Sequence, residues 1–462
     1  PLLSFLVRYK SCHAGICITA SHNPPEYNGF KVYWSDGAQI VSPHDQKIAE
    51  CYDQLSSYED LPFMEYKEAK RNGLIEEISE ELDDAYYDKL IKLPFRKINI
   101  KDFSIVYTPL HGSGGSVIPK FLRRLGFQKV SVLASQKHPD GDFPTVTSPN
   151  PEEKTALDLA VEHAKNIKAK LVLATDPDCD RVNLVSLENG KPVYFTGHQL
   201  ACLLCHYVFC SLKDQGKLPK NAKTVQTIVT TDLFRKIAES YQAKCTKTLT
   251  GFKWIGESIE LDKDFEFVCG GEESYGFLAG SFVRDKDGVS TSLLIADMSA
   301  YYEQQGKHLS EVMDDLYKKH GYYLEDTISY HLPGLRGFEK IKTIMASFRE
   351  SPLFQVEDLE AFTVTDYLTK KIYRRNTRSF EETNFEEKLP ISDVIKLDFS
   401  TKGTVLIRPS GTEPKLKIYF QTSSLLDEKE QLSVPQAKKE MLNQLDFLKE
   451  RINFYIQSII TS

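Results

Sequence analysis

The chain has 462 residues, too many for one hydrophobic core, so three or four domains are expected, with roughly three quarters of the unfolded surface buried on folding. Hydrophobic residues make up 41% and charged residues 27%, and 58 basic against 65 acidic side chains leave a formal charge of −7. That balance offers no basic excess to nucleic acid or anionic lipid, and the longest apolar stretch, residues 200–210, is broken by His206 and too short to span a bilayer, so neither a nucleic-acid nor a membrane partner is expected.

An apolar segment at residues 2–7 opens the chain without a capping or turn signal, as though the sequence began inside a domain. Residues 14–18 read as a short apolar strand, and Asn23-Pro24 forces a turn, because the residue before proline is pushed out of the helical region. Ser21 therefore lies on a loop at a strand's carboxyl end, where open α/β sheets place their chemistry. Two readings of it stand: an ordinary Ser-His-Asn turn, or a serine presented to carry a phosphate. A short strand at Phe30-Lys31-Val32 follows, and an acidic helix ends at Leu93-Pro94.

Short apolar runs then alternate with helical patterns to about residue 325, the signature of successive βαβ-like units. Domain boundaries are expected near residue 96, at the turn Glu188-Asn189-Gly190 and near 325, giving segments 1–95, 96–190, 191–325 and 326–462. Gly112-Ser113-Gly114-Gly115 has a structural role as a strand-to-helix turn, since Val117 breaks any dinucleotide fingerprint. Cys202 and Cys205 sit in a continuous apolar helix without a second ligand pair, which assigns them to core packing. Nine cysteines in all and no secretory pattern at the start fit a reduced cytoplasmic compartment. The last segment reads as α+β: alternating strands, a solvated basic hairpin around Lys370, Lys371, Arg374, Arg375 and Arg378, and a final amphipathic helix with Leu442, Leu445, Leu448, Ile452 and Tyr455 on one face.

Four of the apolar runs end in unusual polar loops. Besides the Ser21 loop, the strand at residues 171–174 leads to Asp176-Pro177-Asp178-Cys179-Asp180-Arg181. Alternating aspartates on an extended loop aim three carboxylates at one point, and a hard divalent cation relieves their repulsion. An EF-hand is excluded, because Arg181 stands where its glycine belongs, Leu187 where its glutamate belongs, and a strand leads in. Three oxygens leave an octahedral ion positions for phosphate or water, which suits Mg²⁺. Gly271-Glu272-Glu273-Ser274 follows a strand with acceptors and a hydroxyl suited to sugar hydroxyls, and Thr250-Gly251-Phe252-Lys253 and Arg284-Asp285-Lys286-Asp287-Gly288 add basic residues to the same segment. Arg408, Ser410, Gly411 and Thr412 offer a guanidinium fork, two hydroxyls and a glycine that admits backbone N–H groups to an anion, the equipment of a phosphate cradle.

Together these loops resemble the α-D-phosphohexomutase superfamily, the phosphoglucomutases and phosphomannomutases, from residue 14 to about 420. All four family loops stand in the family's order: Thr19-Ala20-Ser21-His22-Asn23-Pro24, Asp176 to Arg181, Gly271 to Ser274, and Arg408-Pro409-Ser410-Gly411-Thr412-Glu413-Pro414. The resemblance implies three similar α/β domains with mixed sheets and a C-terminal α+β domain around a central cleft. It implies a cytoplasmic enzyme exchanging phosphate between hexose 1-phosphate and hexose 6-phosphate through a phosphoserine at Ser21, primed by glucose 1,6-bisphosphate. By the same resemblance, Ser21 shares Mg²⁺ with Asp176, Asp178 and Asp180, Lys31 is the acid/base partner, and His22 supports the phosphate. Lys286, Arg181, Thr250, Gly251, Lys253, Glu272 and Ser274 would lie at the sugar, and Arg408, Ser410, Gly411 and Thr412 on the non-reacting phosphate. Partners are expected to be small sugar phosphates.

Glu273 and Tyr275-Gly276 look like the glucose-type loop, whereas the pentose-type members resemble the chain around Lys31-Val32-Tyr33-Trp34 but carry alanine where Ser274 stands. Pentose or mannose phosphate and bisphosphate synthesis stay open as alternatives. Family members also carry a longer stretch ahead of the serine loop, with the first strands of domain 1, where this chain has 20 residues. The expectation is a fragment of a longer protein. A domain 1 that is short in its own right would instead suggest a noncatalytic sugar-phosphate-binding protein, although binding alone has no need of a nucleophile.

Overall fold

The computed structural model describes residues 1–57, 59, 61–350, 355–356, 359–375, 380–385, 389–410, 414–424 and 433–461. The chain is α/β with mixed sheets, and its packing separates two units: residues 1–226, 241–246 and 250–309 form the first, and residues 227–240, 247–249 and 310–462 the second.

In the first unit the opening apolar segment is a helix, Leu2–Tyr9, that buries Phe5 and Val7. Strand Ala14–Ile18 pairs antiparallel with Phe30–Trp34, setting Cys17 opposite Lys31 and Ile18 opposite Phe30, so the Ser21 loop is the connection between them. A five-stranded sheet follows in the order Lys129–Val132, Ser104–Thr108, Leu171–Thr175, Val182–Glu188, Lys191–Tyr194. Its first three strands are parallel and the last two antiparallel to their neighbours. Leu171–Thr175 is buried at every position because it is central and covered on both faces, which is why it reads as a continuous apolar run. Helix Lys154–Asn166 packs Leu157, Ala160 and Val161 against Val106, Val172 and Val185 of that sheet. In another sheet Glu266–Gly271 lies parallel to Ala222–Thr227 and antiparallel to Phe277–Ala279. Helix Gly197–Asp214 is closed at its start by a capping box between Thr196 and Gln199 and buries Cys202 and Cys205. Helix Gly288–Gln304 is buried almost all round and is capped by Asp287, whose carboxylate accepts the N–H groups of Val289 and Ser290.

The second unit is built on a seven-stranded antiparallel sheet in the order Tyr322–His331, Lys415–Ser424, Thr404–Pro409, Ile395–Asp398, Thr363–Asp366, Lys371–Arg375, Phe380–Asn384. Helices Leu335–Glu350 and Val434–Thr461 bury Ile344, Phe348, Leu448 and Ile452 against Ile407, Ile418 and Phe420. The expected face of the last helix needs correction at one position: Leu442 is 40% exposed, and Met441 and Ile456 join Leu445, Leu448 and Ile452 in the core. Spacings of four, three, four and four residues keep that stripe on one side, and Leu442 falls one position beyond it. The basic hairpin is the pair Lys371–Arg375 and Phe380–Asn384, with Lys371 and Arg375 ion-paired to Glu382 and Glu360 at the surface, while Arg378 lies outside the described residues.

Candidate active site

Asp176 directly follows the buried strand Leu171–Thr175 and is itself fully buried. The loop after it is a tight turn rather than the expected extended segment: Cys179 N–H donates to the Asp176 carbonyl at 3.0 Å, and Cys179 adopts φ +60°. Asp176 Oδ1 also accepts the N–H groups of Asp180 and Arg181 at 3.1 and 3.0 Å. The turn still gathers the carboxylates, since one oxygen each of Asp176, Asp178 and Asp180 lies within 4.8 Å of the others. Glycines allow a second loop to support it. A Cβ on Gly112 would collide with Pro177 and one on Gly114 with Tyr107, and Ser113 donates both its N–H and its hydroxyl to the Pro177 carbonyl at 2.8 and 2.9 Å.

Ser21 comes to this turn from the other strand pair. Its hydroxyl lies 3.3 Å from Asp176 Oδ2 and 3.2 Å from His22 Nδ1, its N–H donates to Thr19 Oγ1 at 2.8 Å, and Thr19 in turn donates to Asp178 Oδ2 at 3.1 Å. Ser21 sits at φ +55° and Tyr275, in the 271–276 loop, at φ +62°. With Cys179, three of these loops thus hold a non-glycine residue in the left-handed region, which costs each of them of order 1–3 kcal/mol and persists only where surroundings enforce it.

The cations are arranged around the aspartates. Lys31 Nζ donates to Asp178 Oδ2 at 2.7 Å and Asp180 Oδ2 at 2.6 Å, and Lys286 Nζ lies 3.1 Å from the same oxygen of Asp180. Burial opposes the charge of Lys31, but Asp180 and Asp178 outweigh it and hold the ammonium far above the ordinary lysine range. Burial likewise works against ionised Asp180, yet Lys286, Lys31 and Arg181 keep it well below the usual carboxylate range. Asp176 goes the other way, pushed up by burial and then by Asp180 and Asp178. Asp178 Oδ1 and Asp180 Oδ1 are buried without a hydrogen-bond partner. Two orphaned carboxylate oxygens beside a third carboxylate are the donor set of a hard divalent cation, so these residues fit Mg²⁺.

The 271–276 loop reaches the same turn. Arg181 forms a bridge with Gly276, and Val182 N–H donates to the Tyr275 carbonyl at 3.2 Å. Gly276 has no Cβ because the stem of Lys286 occupies that space. Glu272 is buried, and Gly251 N–H donates to its Oε1 at 2.9 Å, joining the Thr250-Gly251 turn to the loop. Burial pushes the Glu272 carboxyl up against the pull of Lys286 and the Gly251 N–H. Thr250 Oγ1 is buried and unpartnered, Ser274 is half-buried, Arg181 is turned to Glu152 at 2.7 Å, and Lys253 rests 5.1 Å from the Trp254 ring. Arg408 and Ser410 belong to the second unit, at the end of strand Thr404–Pro409, with Ser410 N–H donating to the Lys415 carbonyl at 2.7 Å. Gly411 and Thr412 lie outside the described residues.

Sequence patterns missed four contributors. Buried Asp285 accepts Tyr33 and Gln39 at 2.8 and 2.7 Å and lies 3.4 Å from Lys286, while Glu152 holds Arg181. Asp285 carried a signal, its place beside Lys286 in a charged run; Tyr33, Gln39 and Glu152 carried none.

Sequence profiles for the four domains of phosphoglucomutase/phosphomannomutase match in order: alpha/beta/alpha domain I at residues 1–59, domain II at 84–189, domain III at 196–320 and the C-terminal domain at 372–432. A phosphoglucomutase of Staphylococcus haemolyticus is 37% identical over 440 residues, 94% of this chain and 77% of that protein. The chain belongs to the phosphoglucomutase/phosphomannomutase family. As a member of the α-D-phosphohexomutase superfamily it is an enzyme of the phosphotransferase and isomerase kind. Solved structures share its fold at low identity. The open form of parafusin, a phosphoglucomutase from Paramecium, aligns with TM-score 0.64 at 19% identity, covering 96% of this chain and 80% of that one. N-acetylphosphoglucosamine mutase of Aspergillus fumigatus, in complex with GlcNAc-6P and magnesium, aligns with TM-score 0.56 at 13% identity, covering 98% and 91%. A second structure of that enzyme, with TM-score 0.54, 14% identity and 96% and 91% coverage, holds glucose 1,6-bisphosphate.

Proposed function

We propose that the protein interconverts glucose 1-phosphate and glucose 6-phosphate through a phosphate carried on Ser21. The observation that carries this reading is the convergence of Ser21 Oγ, the three aspartates and Lys31 within hydrogen-bond reach. Phosphorylated Ser21 gives its phosphoryl group to the free sugar hydroxyl: the Oγ–P bond breaks, an O–P bond to the sugar forms, and the hydroxyl proton leaves to a base. The bisphosphate turns over and returns its other phosphoryl group to Ser21 Oγ. Such transfers depend on position and charge neutralisation, which these side chains supply.

Asp176, Asp178 and Asp180 would hold Mg²⁺ with an oxygen of the Ser21 phosphate, and the ion would neutralise charge developing on the transferred group. Lys31 is the acid/base partner, protonated in the resting arrangement, and His22 supports the phosphate. Glu272 and Ser274, with Thr250, Gly251 and Lys253, read the sugar hydroxyls, and Lys286 and Arg181 orient them. Arg408, Ser410, Gly411 and Thr412 hold the non-reacting phosphate. The segments 1–95, 96–190, 191–325 and 326–462 are the proposed domains. Glucose is favoured by the name that the Staphylococcus relatives share, and Mg²⁺ and a glucose 1,6-bisphosphate primer by the ligands of the Aspergillus enzyme. The proposed setting is the cytoplasm and the proposed substrates are small sugar phosphates, the ligand class held by the Aspergillus enzyme; no described helix is long and apolar enough to cross a membrane.

A coupled assay with glucose, mannose and ribose 1-phosphates, Mg²⁺ and the bisphosphate primer tests the reading. Turnover is expected to be fastest with glucose 1-phosphate, to stop in EDTA and to be lost in Ser21→Ala. Absence of turnover on all three, or full turnover by Ser21→Ala, would sink it.

A further inference from the structure

A cavity of about 520 Å³ opens in the first unit away from the aspartate turn, within the size range of small-molecule sites. Its floor is apolar, with Phe103, Leu187 and Leu309, and its rim is polar and strongly basic. Lys165, Lys168, Lys170 and Lys307 line it, and the one carboxylate among the described lining residues, Glu303, pairs with Lys170 at 2.6 Å.

Two helices end there, and lysines near a helix C-terminus often serve only to cap its carbonyls. That explanation fails at both ends, because backbone bonds close them. In helix Lys154–Asn166 the chain turns at Lys168, φ +54°, and Ala169 N–H donates to the Ala164 carbonyl at 2.8 Å. In helix Gly288–Gln304 it turns at Gly306, φ +69°, and Lys307 N–H donates to the Tyr302 carbonyl at 3.0 Å. The two helix dipoles together contribute about one unit of negative charge, less than the two ammonium groups of Lys165 and Lys168.

We propose that this cavity binds a small organic phosphate, its phosphate groups held by Lys165 and Lys168 and its carbon skeleton resting on Phe103 and Leu187. It is a second anion site, distinct from the one around Ser21. Lys170 precedes strand Leu171–Thr175 and Asp176 follows it, so the two sites stand at opposite ends of that strand, roughly 20 Å apart at ~3.3 Å per residue. This inference does not rest on the mutase reading.

Calorimetric titration of the whole protein with ADP and with pyrophosphate, without Mg²⁺, tests it. One site per chain is expected, weakened about tenfold or more in Lys165→Ala/Lys168→Ala and at higher salt, and retained in Arg408→Ala. Both lysines are exposed, so the double variant is expected to keep the wild-type melting temperature and turnover. ADP is expected to bind more tightly than pyrophosphate, which has no carbon skeleton to place on the apolar floor. No binding of either probe, binding unchanged in the lysine double variant, or binding abolished by Arg408→Ala would overturn the proposal.

Discussion

In the proposed mechanism Lys31 has two duties that conflict unless the site is loaded. In this structure its ammonium bridges Asp178 and Asp180 at 2.7 and 2.6 Å, satisfying one oxygen of each carboxylate and leaving the other bare. A cation on the three aspartates competes for the same negative charge, which would lower the lysine's affinity for its proton and make proton exchange with a substrate hydroxyl feasible. Replacing Lys31 by Met keeps the stem and removes the charge. Lys31→Met is therefore expected to reduce kcat about 10²- to 10⁴-fold while Mg²⁺ affinity, measured by titration, holds or rises; an unchanged kcat would remove Lys31 from the chemistry. The residues gathered at this turn were legible where short runs carried them: Ser21, the three aspartates and Lys286 all sit in local patterns that no packing was needed to see. Tyr33, Gln39 and Glu152 were illegible, because their contacts with Asp285 and Arg181 join residues far apart in sequence.

The elements matter through how they buttress one another. The glycine turn at Gly112–Gly115 is structural, as its sequence suggests, but its purpose is visible only in three dimensions: it packs against Pro177 in the middle of the aspartate loop. Gly112→Val must push that loop aside. Its expected effect is a loss of Mg²⁺ affinity larger than any change in sugar-phosphate affinity, and equal losses would show that the turn does not position the aspartates. A second prediction concerns helix Gly288–Gln304, whose central Asp297 accepts the Tyr207 hydroxyl at 2.5 Å and the Arg96 N–H at 3.0 Å. Burial pushes its carboxyl up to about 6 against these two hydrogen bonds. The folded state thus binds a proton more tightly than the unfolded one, so stability falls as pH rises from about 4 to about 6 and levels off above, a loss of about 3 kcal/mol. Asp297→Asn cannot ionise. Chemical denaturation at pH 5 and pH 7.5 should find the variant's stability relative to wild type improved at the higher pH, and parallel pH profiles would contradict this. The last helix shows the limit of periodicity: the pattern identified the helix and most of its buried stripe, but placed Leu442 where Met441 belongs, since neighbouring apolar residues differ by only about 100° around the axis.

For the whole molecule, the order of four polar loops along the chain was enough to read the family, and the four domain profiles match in that order. Packing divides the chain differently, into two units, the first of which joins the matches to domains I and II with most of the match to domain III. Helix Gly288–Gln304, for example, is buried at nearly every position, so its sequence lacks the polar face that would betray what it packs against. The proposed reaction depends first of all on Ser21 carrying the phosphate that is exchanged. Intact-mass and peptide analysis of the protein after incubation with glucose 1,6-bisphosphate and Mg²⁺ tests it most directly. A single phosphoryl group is expected, located on Ser21 and discharged when glucose 1-phosphate is added, with glucose 1,6-bisphosphate appearing in step. Steady turnover of glucose 1-phosphate by a chain whose Ser21 stays unmodified throughout would contradict it.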